Sequence, residues 1–497
     1  METPENRTPG TGLSDLLAEG SPVMELASHF EKSSHELYLV GGPVRDAWLG
    51  RPHADLDFAT DATPDETIAV VKPLATNLWL QGRDFGTVGA EVGGLRMEIT
   101  TFRTETYQPS SRHPEVTFAA DIETDLSRRD FTVNAMAIQL PGMKAIDPFG
   151  GRADLAERVL RTPVDPDDSF SDDPLRMLRA FRFAAQLDFR IAPEVMASIA
   201  RLKDQIETVS AERIRDELSK LLLGAAPGRA LELADSTGLT DLFLPELGAL
   251  KLEQDPVHRH KDVFKHTLAV VERTPPVLVL RLAALLHDIG KPKTRRIGGP
   301  RGVSFHHHEV EGAKMAEKRL RELRFPNEIV DQVRTVIFLH HRFHTYRLGW
   351  TDSAVRRYVR DAGPLLGTLN ALVRADCTTR DAAKAKRLGA RMDELEAWIA
   401  DLAAREEIER IRPDLDGFQV MEYLGVERGP VVGKALEHLL EIRLEEGPLD
   451  GDAAFERLDA WARSEGLEPA GVKVPPREKK NPIPHPAEPQ KKTAADG

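Results

Sequence analysis

The sequence predicts an α+β fold, in which a small N-terminal domain built on one β-sheet precedes a mostly helical remainder. Between Glu36 and Asp147, short β-rich runs alternate with Gly, Pro and Asp turns, and one helical stretch interrupts them near 64–75. After Asp154 the apolar residues recur at spacings of three and four, as on a helix, to about Arg463. These two patterns define the fold class.

Length and composition limit the classes of protein that remain. The chain has 497 residues, 41% of them hydrophobic, and a net charge of −13, so we expect several globular domains. No apolar run of about 18 residues and no signal before Leu37 is visible, which predicts a cytoplasmic protein without a membrane partner. The single Cys377 excludes intrachain disulfides and thiolate zinc clusters. The acidic total argues against nonspecific binding of nucleic acid but allows a local basic groove.

Shifts in composition predict the domain boundaries. Both tails are rich in Pro, Gly, Lys and Glu and are expected to be disordered. The segment PELGALKLEQDPVHRH interrupts the helical pattern just before a His-rich block. The predicted segments are a tail over 1–12, a sheet domain over 13–150, a helical neck over 151–254, a His-rich domain over 255–390, further helices over 391–467 and a tail over 468–497.

The first candidate site follows a predicted strand. Gly41 and Gly42 stand between that strand and a helix start, where the backbone can approach an anion such as a triphosphate closely. A Gly-Gly pair alone is more often an ordinary turn. Asp55 and Asp57 alternate on a β-like segment, so both carboxylates face one side and either share a cation or repel. Mg²⁺ prefers such oxygen ligands, although an Asp-x-Asp tripeptide is also common in exposed turns.

Two further clusters combine cations with short polar side chains. In RRDFTVNA, Arg129 suits a phosphate, and Asp130 and Asn134 suit either contact with sugar hydroxyls or shaping of the pocket; a solvated turn is the alternative. Further along, a predicted helix carries Asp173 and then three arginines at spacings of three. The three arginines lie on one stripe and repel one another unless an anion is present. An i, i+3 salt bridge with solvated arginines is the structural alternative. The arginines are Arg176, Arg179 and Arg182.

Five motifs occur in order: GGPVRD, DLDFAT, RRDFTVNAMA, DPFGGRADL and DDPLRMLRAFRFA. Together they resemble the class II tRNA nucleotidyltransferases, the bacterial CCA-adding enzymes and their poly(A) polymerase relatives in the DNA polymerase beta superfamily. The resemblance covers about 35–225 and implies a nucleotidyltransferase head at 13–150. This chain has Asp172-Asp173 where the family commonly has Glu-Asp.

The resemblance also implies roles for individual residues. Asp55 and Asp57 would bind the catalytic Mg²⁺, with Glu98 as a third acidic residue. Asp147 and Asp154 would form a hinge between head and neck, and Glu212 and Arg213 a helix-stabilising motif. The base of the incoming nucleotide would be read by Asp173 and Arg176, and the other nucleotide contacts would be Gly42, Arg45, Arg129, Arg179 and Arg182.

The His-rich block resembles the HD phosphohydrolase superfamily, whose pattern is H…HD…D. The resemblance implies that His266, His287, Asp288 and Asp376 bind a divalent transition metal, since His nitrogen and carboxylate oxygen suit such ions. His308 and His340 are candidates for a second metal position. Buried histidines that only satisfy a core hydrogen bond are the alternative.

The first functional hypothesis is addition of C, C and A to the tRNA 3′ end from CTP and ATP, without a nucleic-acid template and with release of pyrophosphate. A poly(A) polymerase and a partial enzyme that adds only CC or only A share the same motifs. Two alternatives from other classes are an HD hydrolase whose head merely binds nucleotide, and a noncatalytic protein that protects tRNA ends. The sequence gives no indication of the oligomeric state.

Overall fold

The structure is a computed structural model that describes residues 16–51, 56–106, 115–118, 121–252, 262–297, 303–345, 350–377, 382–406 and 411–476. The chain divides into two compact units, 1–338 and 339–497. Among the described residues, no helix is both long and apolar enough to cross a membrane. The predicted N-terminal tail and most of the predicted C-terminal tail lie outside the described residues.

The predicted α+β class is confirmed, with the larger sheet in the N-terminal part of the chain. The strands of the described residues are β1 Leu37–Val40, β2 Leu56–Thr60, β3 Ala75–Trp79, β4 Thr87–Val92, β5 Leu95–Thr101, β6 Arg103–Thr106, β7 Glu115–Phe118, β8 Ala137–Leu140, β9 Lys144–Ile146, β10 Val159–Leu160, β11 Arg190–Ile191, β12 Arg295–Ile297 and β13 Val303–Phe305.

Seven of these strands form one sheet in the order β3-β4-β5-β2-β1-β8-β9. Strands β2 and β5 are parallel, and the other neighbours in this sheet are antiparallel. All four residues of β1 are buried, because this strand lies inside the sheet with apolar residues on both faces. Strand β3 is at the edge and is largely exposed. It falls where the sequence predicted the end of a helical stretch.

The first three helices of the first unit pack on this sheet, and most of the later helices form the neck and the His-rich region. In chain order, the helices of this unit are α1 Pro22–Lys32, α2 Gly42–Trp48, α3 Pro64–Val71, α4 Ile122–Ser127, α5 Gly151–Glu157, α6 Pro166–Asp172, α7 Leu175–Leu187, α8 Pro193–Leu202, α9 Ala211–Leu222, α10 Pro227–Ser236, α11 Pro245–Gly248, α12 Val263–Arg273, α13 Leu278–Leu286, α14 Lys291–Thr294, α15 His308–Glu322 and α16 Asn327–Leu339.

The second unit is helical in its described residues. Its apolar residues between 415 and 462 form a core of their own, in which Val420, Leu439 and Leu458 are buried. The helices are α17 Arg342–Thr345, α18 Asp352–Ala362, α19 Leu366–Asp376, α20 Ala382–Glu406, α21 Gly417–Leu424, α22 Pro430–Glu446 and α23 Gly451–Ser464.

Helix α7 is the central helix of the neck. It begins after Pro174 and ends at Leu187, where Asp188 takes a left-handed conformation with φ of 58°. Its apolar side chains, such as Leu178 and Phe181, are buried, and it packs against α9 and α10. This packing fixes the orientation of the arginine stripe on the same helix.

Candidate active site and histidine cluster

A polar cavity of about 690 Å³ lies between the sheet and helix α7. Eight of the residues predicted for the nucleotide site line it, and so do several that were not predicted, among them Arg103, Phe183, Gln186 and Lys220. The predicted residues in the lining are Gly42, Arg45, Asp57, Arg129, Asp173, Arg176, Arg179 and Arg182. Asp55 lies outside the described residues.

The turn after β1 requires a glycine at its first position. Gly41 has φ of 74°, and a Cβ atom there would lie 2.8 Å from Nη1 of Arg129. Gly42 has no such constraint, because a Cβ at that position would meet only Arg45 Nη2, at 3.9 Å. Gly41 therefore lets the β1–α2 turn pass directly beside the Arg129 side chain.

Asp57 and Glu98 are neighbours on adjacent strands. Their Cα atoms are register partners in the parallel pair of β2 and β5, so both side chains project from the same face of the sheet. Asp57 is half-buried and Glu98 is exposed. Carboxylate oxygens on one face are the ligands that Mg²⁺ prefers, so these residues fit a magnesium ion.

Asp130 fixes the position of Arg179, one arginine of the stripe on α7. It is buried, and its Oδ2 accepts hydrogen bonds from Arg179 Nε at 2.8 Å and Nη2 at 2.5 Å. Its Oδ1 accepts from the Phe131 and Asn134 nitrogens. Burial would raise the pKa of Asp130, but the charge of Arg179 and the hydrogen bond from Asn134 outweigh it and lower the pKa. The sequence left open whether Asp130 holds a sugar hydroxyl or shapes the pocket, and in the structure it holds Arg179 at the cavity.

Asn134 also joins Arg45 to this network. Its Oδ1 accepts from Arg45 Nη1 at 2.7 Å, while Arg45 Nε and Nη2 donate to Asp46. Arg45 is therefore fixed by two partners on different elements.

Arg182 and Glu217 form a buried ion pair between α7 and α9. Arg182 Nε lies 2.6 Å from Glu217 Oε2, and Arg179 Nη1 lies 3.7 Å from the other oxygen of the same carboxylate. Arg182 is also 3.9 Å above the ring of Phe183. Burial, followed by the charge of Arg179, lowers the pKa of Arg182 to about 10. An anion in the cavity would relieve this crowding of positive charge.

Asp173 and Arg176, the predicted base readers, are each held by protein groups. Asp173 Oδ2 lies 3.0 Å from Arg213 Nη2, and Arg176 donates to Ser169 and to the carbonyl oxygen of Arg128. The sequence had assigned Arg213 to a helix motif of the neck. Its ion pair with Asp173 joins residues 40 positions apart, which local spacing does not reveal.

Asp147 and Asp154, interpreted as hinge residues, make firm contacts around α5. Asp147 accepts from the nitrogens of Gly151 and Arg152 at the start of this helix. Asp154 is buried, accepts from Thr132 Oγ1 at 2.6 Å, and pairs with Arg161. Both aspartates stabilise the junction between the sheet and the neck.

A second cluster lies in the His-rich region of the first unit. Asp288 is buried, and its carboxylate oxygens lie 3.5 Å from His266 Nε2, 3.2 Å from His287 Nε2 and 3.6 Å from His308 Nε2. Lys291 Nζ donates to the same carboxylate at 2.6 Å. Burial would raise the pKa of Asp288, but the charges of His287 and Lys291 hold it well below its usual range.

Two of these histidines are held at Nδ1 by backbone carbonyl oxygens. Nδ1 of His287 lies 2.8 Å from the carbonyl oxygen of Ala284, and Nδ1 of His308 lies 2.9 Å from that of Phe305. Because a carbonyl oxygen can only accept, each Nδ1 carries a proton, and each Nε2 is the nitrogen that faces the Asp288 carboxylate. This arrangement fits a transition-metal ion.

The register of the His-rich motif is also clear. The side chain of His308 is 6% exposed, whereas that of His307 is 82% exposed. The other predicted ligands, Asp376 and His340, belong to the second unit, where Asp376 lies 3.5 Å from His344 Nε2.

Three family models match this chain and together define its class of protein. Residues 37–161 match the poly A polymerase head domain, 188–250 match the probable RNA and SrmB-binding site of polymerase A, and 262–407 match the HD domain. The chain is thus a nucleotidyltransferase with an HD domain.

Curated relatives then give the family. The A-adding tRNA nucleotidyltransferase of Deinococcus radiodurans is 35% identical over 418 residues, which cover 82% of this chain and 91% of that protein. The CCA-adding enzyme of Bacillus licheniformis is 40% identical over 228 residues, covering 46% of this chain and 55% of that enzyme. The chain belongs to the class II tRNA nucleotidyltransferases, the family of the CCA-adding enzymes.

Solved structures agree with this assignment. The Bacillus stearothermophilus CCA-adding enzyme in complex with CTP has a TM-score of 0.66 and 26% identity, over 90% of this chain and 98% of that one. The Thermotoga maritima CCA-adding enzyme complexed with tRNA, at 21% identity and a TM-score of 0.56, shares the fold over 91% of this chain and 98% of its own.

Proposed function

We propose that this protein adds C, C and A to the 3′ end of tRNA from CTP and ATP, without a nucleic-acid template, and releases pyrophosphate. One observation carries the proposal: a single cavity combines Asp57 with Asp173 and the arginine stripe of α7. The family membership of the chain supports the same activity. We expect the protein to act in the cytoplasm, where tRNA is processed.

Each group of side chains has a distinct part. Arg45, Arg129, Arg179 and Arg182 bind the triphosphate by charge-assisted hydrogen bonds. Asp173 accepts from, and Arg176 donates to, the edge of the base, so that protein side chains select the nucleotide. Asp55, Asp57 and Glu98 would hold Mg²⁺, which when bound activates the attacking hydroxyl and stabilises the leaving pyrophosphate.

Addition of A alone is the second candidate. The Deinococcus radiodurans relative, an A-adding enzyme, aligns over 418 residues, whereas the Bacillus licheniformis CCA-adding enzyme aligns over 228. Because the alignment with the A-adding enzyme covers more of this chain, it favours the addition of A alone.

For the His-rich region, we propose that His266, His287, Asp288 and Asp376 hold a divalent transition metal, with His308 and His340 at a second position. His287 and His308 support this assignment, because backbone carbonyl oxygens hold Nδ1 of each ring and Nε2 faces Asp288. A metal-dependent phosphohydrolase activity on nucleotides or RNA ends is the corresponding alternative function.

The deciding experiment extends tRNA transcripts that lack the last nucleotide or the last three. Purified protein and Mg²⁺ are incubated with CTP, ATP or both, and the product ends are sequenced. Extension by CCA followed by arrest supports the first proposal. Addition of A only to the transcript ending in CC supports the second, a long A tail indicates a poly(A) polymerase, and no extension contradicts both proposals.

Two variants separate chemistry from base selection. We expect Asp57→Asn to lower the addition of every nucleotide by roughly 100-fold or more, since the metal ligand supplies several kcal/mol. We expect Asp173→Ala to reduce discrimination between correct and incorrect bases by roughly 5- to 100-fold, the value of one good base contact. Initial rates with each of the four nucleotides measure both effects.

Asp168→Ala is the matched control, because Asp168 is an exposed carboxylate on helix α6, just before Asp173. It should leave rate and selectivity unchanged. If Asp173→Ala slows all four nucleotides equally, Asp173 does not read the base.

A further inference from the structure

A row of four residues crosses the open face of the sheet at the catalytic carboxylates. Asp57 on β2 is the register partner of Glu98 on β5, Glu98 is the partner of Gly89 on β4, and Gly89 is the partner of Trp79 on β3. Register partners on adjacent strands project to the same face. Trp79 therefore lies at the sheet edge on the same side as Asp57 and Glu98.

The indole of Trp79 leans inward along this row. A Cβ atom at Gly89 would lie 3.3 Å from both Cβ and Cε3 of Trp79, so the ring covers the glycine. Adjacent strands are about 4.8 Å apart, which puts Trp79 about 10 Å from Glu98 along the row. Because the ring spans the Gly89 strand, about one strand spacing separates it from the carboxylates. Trp79 is still 37% exposed.

A cation accompanies this aromatic side chain. Arg96 precedes Glu98 by two positions on β5 and therefore shares its face. Its guanidinium carbon lies 5.6 Å from the centroid of the Trp79 ring. An exposed aromatic ring beside an arginine is the combination that binds single-stranded nucleic acid, with the ring under a base and the cation at a phosphate.

We propose that Trp79 stacks on the terminal base of the RNA acceptor and that Arg96 contacts its phosphate, so that the 3′-hydroxyl faces Asp57 and Glu98. The cavity that takes the incoming nucleotide is lined by Asp57 but not by Glu98, Gly89 or Trp79. The row from Trp79 to Asp57, where we place the acceptor, and the nucleotide cavity therefore share only Asp57. The acceptor and the incoming nucleotide would reach Asp57 from different sides. This inference rests on the proposed nucleotide addition.

The test measures initial rates against RNA acceptor concentration at saturating nucleotide. We expect Trp79→Ala to raise the acceptor KM by roughly 5- to 100-fold, the loss of one stacked base, and to leave the nucleotide KM within about twofold. Trp79→Phe keeps a ring and should stay within about threefold of the natural protein. Trp48→Ala is the control, since Trp48 is equally exposed at 39% and lies under Arg152.

An acceptor with an abasic terminal nucleotide distinguishes stacking from a structural role. For the natural protein, the KM of this abasic acceptor should be higher than that of the intact acceptor by the same factor. For Trp79→Ala, the two acceptors should have the same KM. Equal penalties for the abasic acceptor in both proteins, or an unchanged acceptor KM in Trp79→Ala, would overturn the stacking role. Failure of the natural protein to extend any acceptor would instead contradict the proposed function itself.

Discussion

At the scale of the residue, Gly41 shows how closely the backbone and the cations of the cavity are fitted. Its positive φ is unfavourable for other residues, and its missing Cβ leaves the space that Arg129 occupies. Arg129 in turn pairs with the buried Asp125 at 3.2 Å. A side chain at position 41 would therefore strain the turn and also displace a predicted phosphate ligand.

We expect Gly41→Ala to raise the nucleotide KM and to lower the free energy of unfolding by more than the roughly 1–3 kcal/mol of backbone strain at its φ of 74° and ψ of −131°. Gly50→Ala separates the two effects, because Gly50 also has positive φ, 64°, but nothing lies within 4 Å of its missing Cβ. Urea unfolding and steady-state rates measure both variants. If Gly41→Ala and Gly50→Ala lose the same stability and have the same nucleotide KM, the space beside Arg129 contributes to neither property.

At the scale of the element, helix α9 supports helix α7 through one buried carboxylate. Glu217 is 3% exposed and faces both Arg179 and Arg182. The sequence drew attention to Glu212 and Arg213 on this helix instead. Glu212 is exposed, so the contact that joins the two helices is made by a residue one and a half turns later.

Removal of the Glu217 charge should weaken the junction between α7 and α9. We expect Glu217→Gln to cost about 3–5 kcal/mol of unfolding free energy, because a buried ion pair that loses one partner leaves the other charge uncompensated. Glu212→Gln, on the exposed side of the same helix, should stay within about 0.5 kcal/mol of the natural protein. Similar denaturation midpoints for the two variants would contradict the structural role of Glu217.

The difference between Glu212 and Glu217 shows which features can be predicted from the sequence and which cannot. Periodicity and turn residues predicted the sheet and the helices, because those signals are local. The motifs predicted eight residues of the cavity lining but missed others, among them Arg103 and Lys220, and Asp55 lies outside the described part of the chain. The pairing of Arg213 with Asp173 and the edge position of Trp79 depend on long-range packing and register, which local spacing does not contain.

At the scale of the whole molecule, the head and the His-rich region carry separate clusters of polar residues. The first is cationic and lies beside the sheet, and the second surrounds the buried Asp288. No residue is common to the two clusters within the described part of the chain. Metal binding and nucleotide addition should therefore respond to different substitutions.

We expect Asp288→Asn to lower the content of tightly bound transition metal and to leave CCA addition in Mg²⁺ within about twofold. His307→Ala, at the exposed histidine beside His308, should change neither property. Elemental analysis after dialysis against a chelator measures the first property, and tRNA extension the second. Loss of extension in Asp288→Asn, with the fold intact by circular dichroism, would show that the two regions are coupled.

The way in which Arg176 is held has a consequence for the pH dependence of the site. Its guanidinium donates to a serine and to two backbone carbonyl oxygens, and none of these acceptors ionises in the physiological range. Changes of pH within the physiological range therefore leave these hydrogen bonds intact. If Arg176 reads the base as proposed, its part in base selection should be independent of pH over this range.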